Sequence, residues 1–412
     1  MIQIHDRYYN IEQFKEYHPG GSEILELCKN EPDCTALFES YHAFCNMNKI
    51  KKIMKQYELK VSDKKCLFSF AENGFYNTCK NRVKQHFNRQ NSKADIDWGF
   101  TVLFSLLLFL YCQYICLYSD NYSVVKILYS ILSGITLLSL GYNVLHDGSH
   151  YAISTVPWIN NISSMIIQSF VLFNHILWSY HHCIRHHQYT GYIKYDPDIR
   201  NSRPFFRKSN SLVPMKQEYK KKNIGLKLLL FNIFFPGTTF GQSLAYHLQW
   251  VRKKRLWKMN LPNNYFDYKT ILQYMVSLSF IGFEIYNGGF YFIFHIIGTN
   301  IGFFIGSAPD HDMYSTHLEI ENANYRKDWG ELQVRHSGNF MSKYTLFTRF
   351  YGGINYQIEH HLFPTLNNHK LKKISPIVQQ CCKEFNIPYH SVEHPLEVYK
   401  QIVKTYQNTH SF

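Results

Sequence analysis

The chain has 412 residues, 45% of them hydrophobic and 17% aromatic, and a formal net charge of +14; this is length for two or three domains and apolar surface enough to bury a core. The excess of Lys and Arg falls at 51–93, 200–227 and 252–258, beside long uncharged runs, so the charge reads as the cytosolic face of a membrane protein and excludes nucleic acid as a partner. Ten cysteines at irregular spacing, Cys381 and Cys382 adjacent, exclude a disulfide framework and indicate reduced thiols.

Residues 1–60 form a polar, compact pattern that carries His18-Pro19-Gly20-Gly21 and, farther on, His42. Two histidines on separate segments can clamp a haem iron from both faces, and the glycines let the backbone turn sharply beside the ring. So short a motif is also compatible with a turn and an unrelated surface histidine. The wider order, Tyr8-Tyr9-Asn10-Ile11, Phe14, the His-Pro-Gly-Gly run, Asp33-Cys34-Thr35, Phe38 and His42, resembles cytochrome b5, which implies haem b held by His18 and His42. The segment starts about ten residues later than is usual in that family and lacks its first strand and tryptophan.

Residues 61–97 are charged and short of apolar runs; they read as a linker, part tether and part amphipathic membrane-surface helix. A flexible link leaves a haem domain free to approach and leave a second redox centre. From 98 to 412 the pattern is that of a membrane domain. Four runs, 99–119, 127–145, 268–286 and 288–307, have close to the ~20 apolar residues that cross a hydrocarbon core. The connections at 119–126 and 286–288 hold one Lys between them, so the positive-inside rule puts both termini on the cytosolic side. No cleavable signal precedes the first polar residues, which agrees with a cytosolic N-terminal region.

The second run ends in His146-Asp147-Gly148-Ser149-His150. Positions four apart share a helix face, so both imidazoles can reach one metal, with Asp147 orienting a ligand from behind; two interfacial histidines would look the same. Next comes Trp178-Ser179-Tyr180-His181-His182-Cys183-Ile184-Arg185-His186-His187. A solvated basic face normally uses Lys and Arg, so four histidines there point to a metal. The apolar stretch 157–177 lies between the two clusters. If it crossed the membrane once, His146 and His187 would finish on opposite sides, so it is expected to enter the surface without crossing. The same parity makes 224–248 peripheral. His311 follows the fourth run, and Gln357-Ile358-Glu359-His360-His361 lies near the C-terminus. His146, His150, His182, His186, His187, His311, His360 and His361, with Gln357, are too many ligands for one ion and suit two. Neutral imidazole fits iron, zinc or copper; zinc has no redox chemistry and no use for an electron donor, so the haem domain favours iron.

The HDGSH run, the HX3HH run, the QIEHH run, Asp328-Trp329 with Gln333-Val334, and Gly352-Gly353-Ile354-Asn355-Tyr356 together resemble the membrane fatty acid desaturases of the front-end class with an N-terminal cytochrome b5 domain. That resemblance implies an α-helical integral membrane protein of about four spans with a cytosolic histidine-box cap, plus a small α+β haem domain. It implies two non-haem iron ions at the box residues His146, His150, His182, His186, His187, Gln357, His360 and His361, with His311 as an additional ligand and Ser307 as a water-holding residue. His181 falls outside the box pattern. The implied reaction is oxygen-dependent formation of a cis double bond in polyunsaturated acyl chains carried on phospholipid or coenzyme A. Electrons would run from NADH through a separate cytochrome b5 reductase, at the endoplasmic reticulum membrane. Trp178-Ser179-Tyr180, Tyr189-Thr190 and Asp196-Pro197-Asp198 look most like fungal and algal delta-5 enzymes, although Gly191 replaces the usual asparagine. The alternatives are a sphingoid-base delta-8 desaturase, a lipid hydroxylase, or a membrane-bound haem electron carrier without di-iron chemistry.

Overall fold

The computed structural model describes residues 1–29, 31–62, 65–120, 122–199, 223–235, 267–321 and 327–409, with short pieces at 208–209, 248–249, 252, 255–256 and 259–260. The basic stretches at 200–227 and 252–258, and the later part of 224–248, lie largely outside the described residues.

Three short strands open the chain, Ile2–Ile4, Arg7–Tyr9 and Glu58–Val61, paired antiparallel in that order with Ile2 opposite Tyr9 and Tyr8 opposite Lys60. Between the second and third lie the helices Ser22–Cys28, Thr35–Tyr41 and Met47–Met54, giving the small α+β unit expected. Its apolar core is not closed within itself. Ile2, Ile4, Ile11, Leu27, Cys34 and Leu37 share one buried cluster with Ile176, Leu177, Tyr180 and Ile184 from the second histidine segment. Each such side chain is worth about 1.5–3 kcal/mol when taken from water, so the seam holds the two parts together. An ion pair lies within it: Arg185 Nε is 2.6 Å from Oε1 of Glu31, whose side chain is fully buried, and the Tyr180 and Tyr189 hydroxyls donate to the same carboxylate at 3.1 and 3.3 Å.

The sequence leads to the expectation of a haem domain on a flexible tether; in this structure the domain is docked. The linker is packed as well. Within it, the Phe75–Val83 helix buries Phe75, Tyr76, Cys79 and Val83, a helical face, against Trp329, Phe363, Val378 and Cys381. Its apolar stripe is covered by protein rather than lipid, a distinction that amphipathic spacing alone does not carry. Lys80 on this helix reaches Glu39 of the haem domain at 2.6 Å.

The membrane part is built on long helices. Ile96–Tyr118, Ser123–Ser149 and Tyr291–Asp312 are long and apolar enough to cross. The 21-residue helix Tyr268–Gly288 has the length as well, at 1.5 Å per residue. Its polar residues Thr270, Gln273, Ser277 and Glu284 point inward while Leu272, Met275, Leu278 and Ile285 are exposed. Among the described residues there are therefore three to four candidate spans. The second and fourth runs touch backbone to backbone: a Cβ on Gly298 would lie 2.0 Å from the Ile131 carbonyl oxygen, and one on Gly134 2.2 Å from that of His295. A polar chain crosses the same contact, Gln113 Nε2 donating to Ser133 Oγ at 2.8 Å and Ser133 Oγ meeting His295 Nδ1 at 2.7 Å, the kind of interhelical bond that hydrocarbon favours.

Between the first two histidine clusters, Pro157–Phe170 and His175–Tyr189 bend by 108° at a short break, so this segment turns back on itself. His146 and His182 meet at 3.1 Å, and both ends of the segment thus lie on one side. The Ile224–Phe234 helix, 11 residues long, is too short to span and packs Ile224 and Leu228 near Val398 and Ile402. Over the histidine face sits a cap of Trp329–His336, Gln357–Leu362, Leu371–Glu384 and Pro395–Thr409, tied by the parallel pair Asn339–Phe340 and Ser391–Val392.

Candidate metal centre

The first two histidine segments enter the centre through π-helical turns, Gly141–His146 and Ser179–His186, a rare form found at functional sites. The imidazoles sort into two groups. His146, His150, His182, His187 and His360 each offer a ring nitrogen within 4.8 Å of the others, and so do His186, His311 and His361. In the first group His187 Nε2 lies 3.1 Å from His360 Nε2, and Trp178 stacks on His182 with centroids 4.5 Å apart. In the second, His186 Nε2 is 3.0 Å from His311 Nε2, and Gln357 Nε2 is 3.1 Å from both His311 Nε2 and His361 Nε2. The groups adjoin where the His187 and His361 rings stack at 4.3 Å. Each His-His pair, 186–187 and 360–361, gives one ring to each group.

Neighbouring acceptors fix the tautomers. His311 Nδ1 is 2.8 Å from the His336 carbonyl, which only accepts, so the proton is on Nδ1 and Nε2 is a lone pair. The His186 Nδ1–H donates to Asp196 Oδ1 at 3.1 Å, and the His361 Nδ1–H donates to Gln333 Oε1 at 3.0 Å with Thr190 Oγ1 also at 3.0 Å. The His311 lone pair and the Nε2 of His186 thus turn to one point, 3.0 Å apart, where a shared cation, proton or metal, is held by both. The Gln357 amide stands where such a cation would act, donating to the lone pairs of His311 and His361, while its Oε1 is buried without a partner, as is His150 Nε2, among the described residues. Burial holds His182, His187, His360 and His361 well below the usual imidazole range, reinforced by the neighbouring rings, so they are neutral donors of electron pairs at pH 7. For His186, burial is outweighed by the Asp198 and Asp196 carboxylates, which raise it; the same carboxylates favour a cation on its outer nitrogen. The residues present fit metal ions.

The haem candidates also face each other. The His18 and His42 ring centroids are 6.2 Å apart, matching the spacing of about 6 Å for two imidazoles on opposite sides of one ion at bonds of about 2 Å. His18 Nδ1–H donates to the Gly21 carbonyl at 3.0 Å and His42 Nδ1–H to that of Phe38 at 2.8 Å, leaving both Nε2 atoms as ligands. Gly21 has φ of +91°, and a Cβ on Gly20 would come within 2.8 Å of the His18 ring. Burial pushes His42 down to about 4, keeping it neutral.

All the ligand candidates read from the sequence fall in these groups. Asp147, expected to orient a ligand, makes a different contact. It accepts from Asn367 Nδ2 at 2.7 Å and from the Asn368 N–H at 3.4 Å, so its carboxylate anchors that loop. The Ser307 hydroxyl is bonded to that of Tyr142 at 2.6 Å. His181, left outside the set, is held by Asp198 at 2.6 Å. The orienting groups that the sequence reading left unassigned are Asp196, Thr190, Gln333 and the His336 carbonyl; Asp196 and Gln333 sit in motifs that signalled them without a role.

Comparison with known proteins agrees with this arrangement. Residues 123–393 match the family model for fatty acid desaturase, and residues 1–61 that for the cytochrome b5-like heme/steroid binding domain. Acyl-lipid (8-3)-desaturase B of Dictyostelium discoideum is 28% identical over 417 residues, covering 94% of this chain and 86% of that protein. The acyl-lipid (8-3)-desaturase of Mortierella alpina is 25% identical over 94% of this chain and 89% of its own. The Delta(5) fatty acid desaturase fat-4 of Caenorhabditis elegans is 24% identical over 90% and 87%. The two family matches set a haem carrier in series with a histidine-rich membrane catalyst, and since the catalytic match spans well over half of the chain, this protein belongs to the fatty acid desaturases, membrane oxidoreductases of lipid chains.

Proposed function

We propose that the protein is a front-end acyl desaturase that places a cis double bond, in the delta-5 position, in polyunsaturated chains carried on membrane lipid. The family implies iron and dioxygen, and the N-terminal domain implies haem. The observation that carries the reading is the facing His18–His42 pair within one docked structure with the two imidazole groups. The relatives named as (8-3) and Delta(5) desaturases support the regiochemistry and the lipid-borne substrate. In this reading residues 1–60 bind haem, residues 98–412 carry the catalyst and 61–97 pack between them. Electrons enter from NADH through a separate cytochrome b5 reductase, and the centre faces the cytosol at the endoplasmic reticulum.

His146, His150, His182, His187 and His360 would hold one iron, and His186, His311 and His361 with Gln357 the other. When bound, the iron pair supplies the power to activate dioxygen and take two hydrogens from adjacent methylenes, two electrons and two protons completing the reduction of oxygen to water. The protein's residues do the positioning. Asp196, Gln333, Thr190 and the His336 carbonyl keep Nδ1 protonated and each Nε2 turned inward. The cap and the docked haem domain bury the rings and exclude water from an oxidising site.

Iron and haem assay of the purified chain should give two non-haem irons and one haem, and expression in a host lacking polyunsaturated chains, fed defined fatty acids, should give a delta-5 product. Haem without non-haem iron would favour an electron carrier; a hydroxylated or sphingolipid product would sink the acyl desaturase reading.

A further inference from the structure

We infer that Tyr41 is the electron relay between the haem pair and the five-histidine group. Tyr41 precedes His42 in the chain, and its hydroxyl lies 2.9 Å from His150 Nδ1; the Tyr41 and His150 rings are 6.1 Å apart, tilted by 35°. His150 belongs to the first imidazole group, and its Nε2 is buried without a partner among the described residues. With Nε2 a lone pair, the His150 Nδ1–H donates to Tyr41 Oη, whose own proton goes to the Cys183 carbonyl 3.4 Å away. Covalent bonds and one short hydrogen bond thus join an imidazole of one site to an imidazole of the other.

The surroundings keep this bridge in place. Glu31 before the Thr35–Tyr41 helix is paired with Arg185, and Glu39 within it with Lys80. The first contact fixes the haem domain against the second histidine segment, and the second fixes it against the Phe75–Val83 helix. A carrier that swung on a tether would need no such bond.

The inference rests on the proposed function, in which haem delivers single electrons. Tyr41 conducts one electron at a time: a ferrous haem iron becomes ferric as a ferric non-haem iron becomes ferrous. Two transfers serve one turnover, and the separate reductase, drawing on NADH, restores the haem after each. Tyr41 ends each transfer neither oxidised nor deprotonated.

The test uses the full chain loaded with haem and iron in lipid nanodiscs. The haem is reduced chemically, which bypasses the reductase, and then mixed with oxygen and an acyl-lipid substrate while haem absorbance is followed. The parent enzyme should show a substrate-dependent reoxidation phase. Tyr41→Phe should slow it severalfold with haem and non-haem iron per chain unchanged, and Tyr41→Leu, which also removes the ring, should be slower still. An unchanged phase in both variants overturns the relay. So does a slowing matched by lost non-haem iron, which would make Tyr41 a structural tether of His150. No substrate-dependent phase in the parent enzyme would overturn the proposed function itself, and the inference with it.

Discussion

The buried pair between Glu31 and Arg185 allows a quantitative test of how firmly the haem domain is held. Glu31→Ala removes the carboxylate that Arg185 meets at 2.6 Å and that two tyrosine hydroxyls donate to, and leaves a guanidinium buried beside apolar residues of the seam. Breaking one side of such a pair costs about 3–5 kcal/mol because the remaining charge is uncompensated. At 1.4 kcal/mol per tenfold, docking weakens by roughly two to three and a half orders of magnitude. Hydrogen exchange in detergent should show the Thr35–Tyr41 helix and the second histidine segment losing protection together, while the haem spectrum persists. Adding Arg185→Met removes the orphaned charge and should recover most of the loss, since buried pairs replaced by apolar groups are often neutral. Unaltered protection in Glu31→Ala, or a double variant no better than the single one, would refute the seam as the source of docking.

Other consequences are as direct. Asp196→Asn removes the carboxylate behind His186 and should lower non-haem iron affinity by about ten- to a hundredfold, read by iron titration with haem content as the internal control. Gly298→Ala forces a Cβ onto the Ile131 carbonyl at 2.0 Å; it should cost about 1–3 kcal/mol, seen as a lower melting midpoint, whereas Gly282→Ala, with nothing within 4 Å, should not. Burial would raise Glu39, but His5 and Lys80 hold its carboxyl at about 2 against an ordinary 4.5. A depressed carboxyl stabilises above its unfolded value, so this contribution is present above about pH 4.5 and lost as pH falls towards 2. Unfolding measured across that window should become flatter in Glu39→Gln.

The chemistry of the centre was legible because histidines four apart, placed where apolar runs end, leave few other uses for their side chains. Parity of crossing then puts His146 and His187 on one side from the sequence alone. What was hidden depends on partners far apart in sequence. Glu31 and Arg185, or Tyr41 and His150, carry no pattern that couples them. Phe75, Tyr76, Cys79 and Val83 announce an apolar face but not what covers it, so a buried helix read as a membrane-surface one. Asp147 misled because adjacency to His146 suggested support for a ligand, while the helix turns its carboxylate to Asn367.

The division of each His-His pair between the two groups works as a molecular ruler. Successive Cα atoms are held about 3.8 Å apart by covalent geometry, and both pairs straddle the same boundary. The separation of the two groups is therefore gauged by peptide bonds rather than by how closely helices pack. A displacement of the cap would carry His360 and His361 together, one ring to each group.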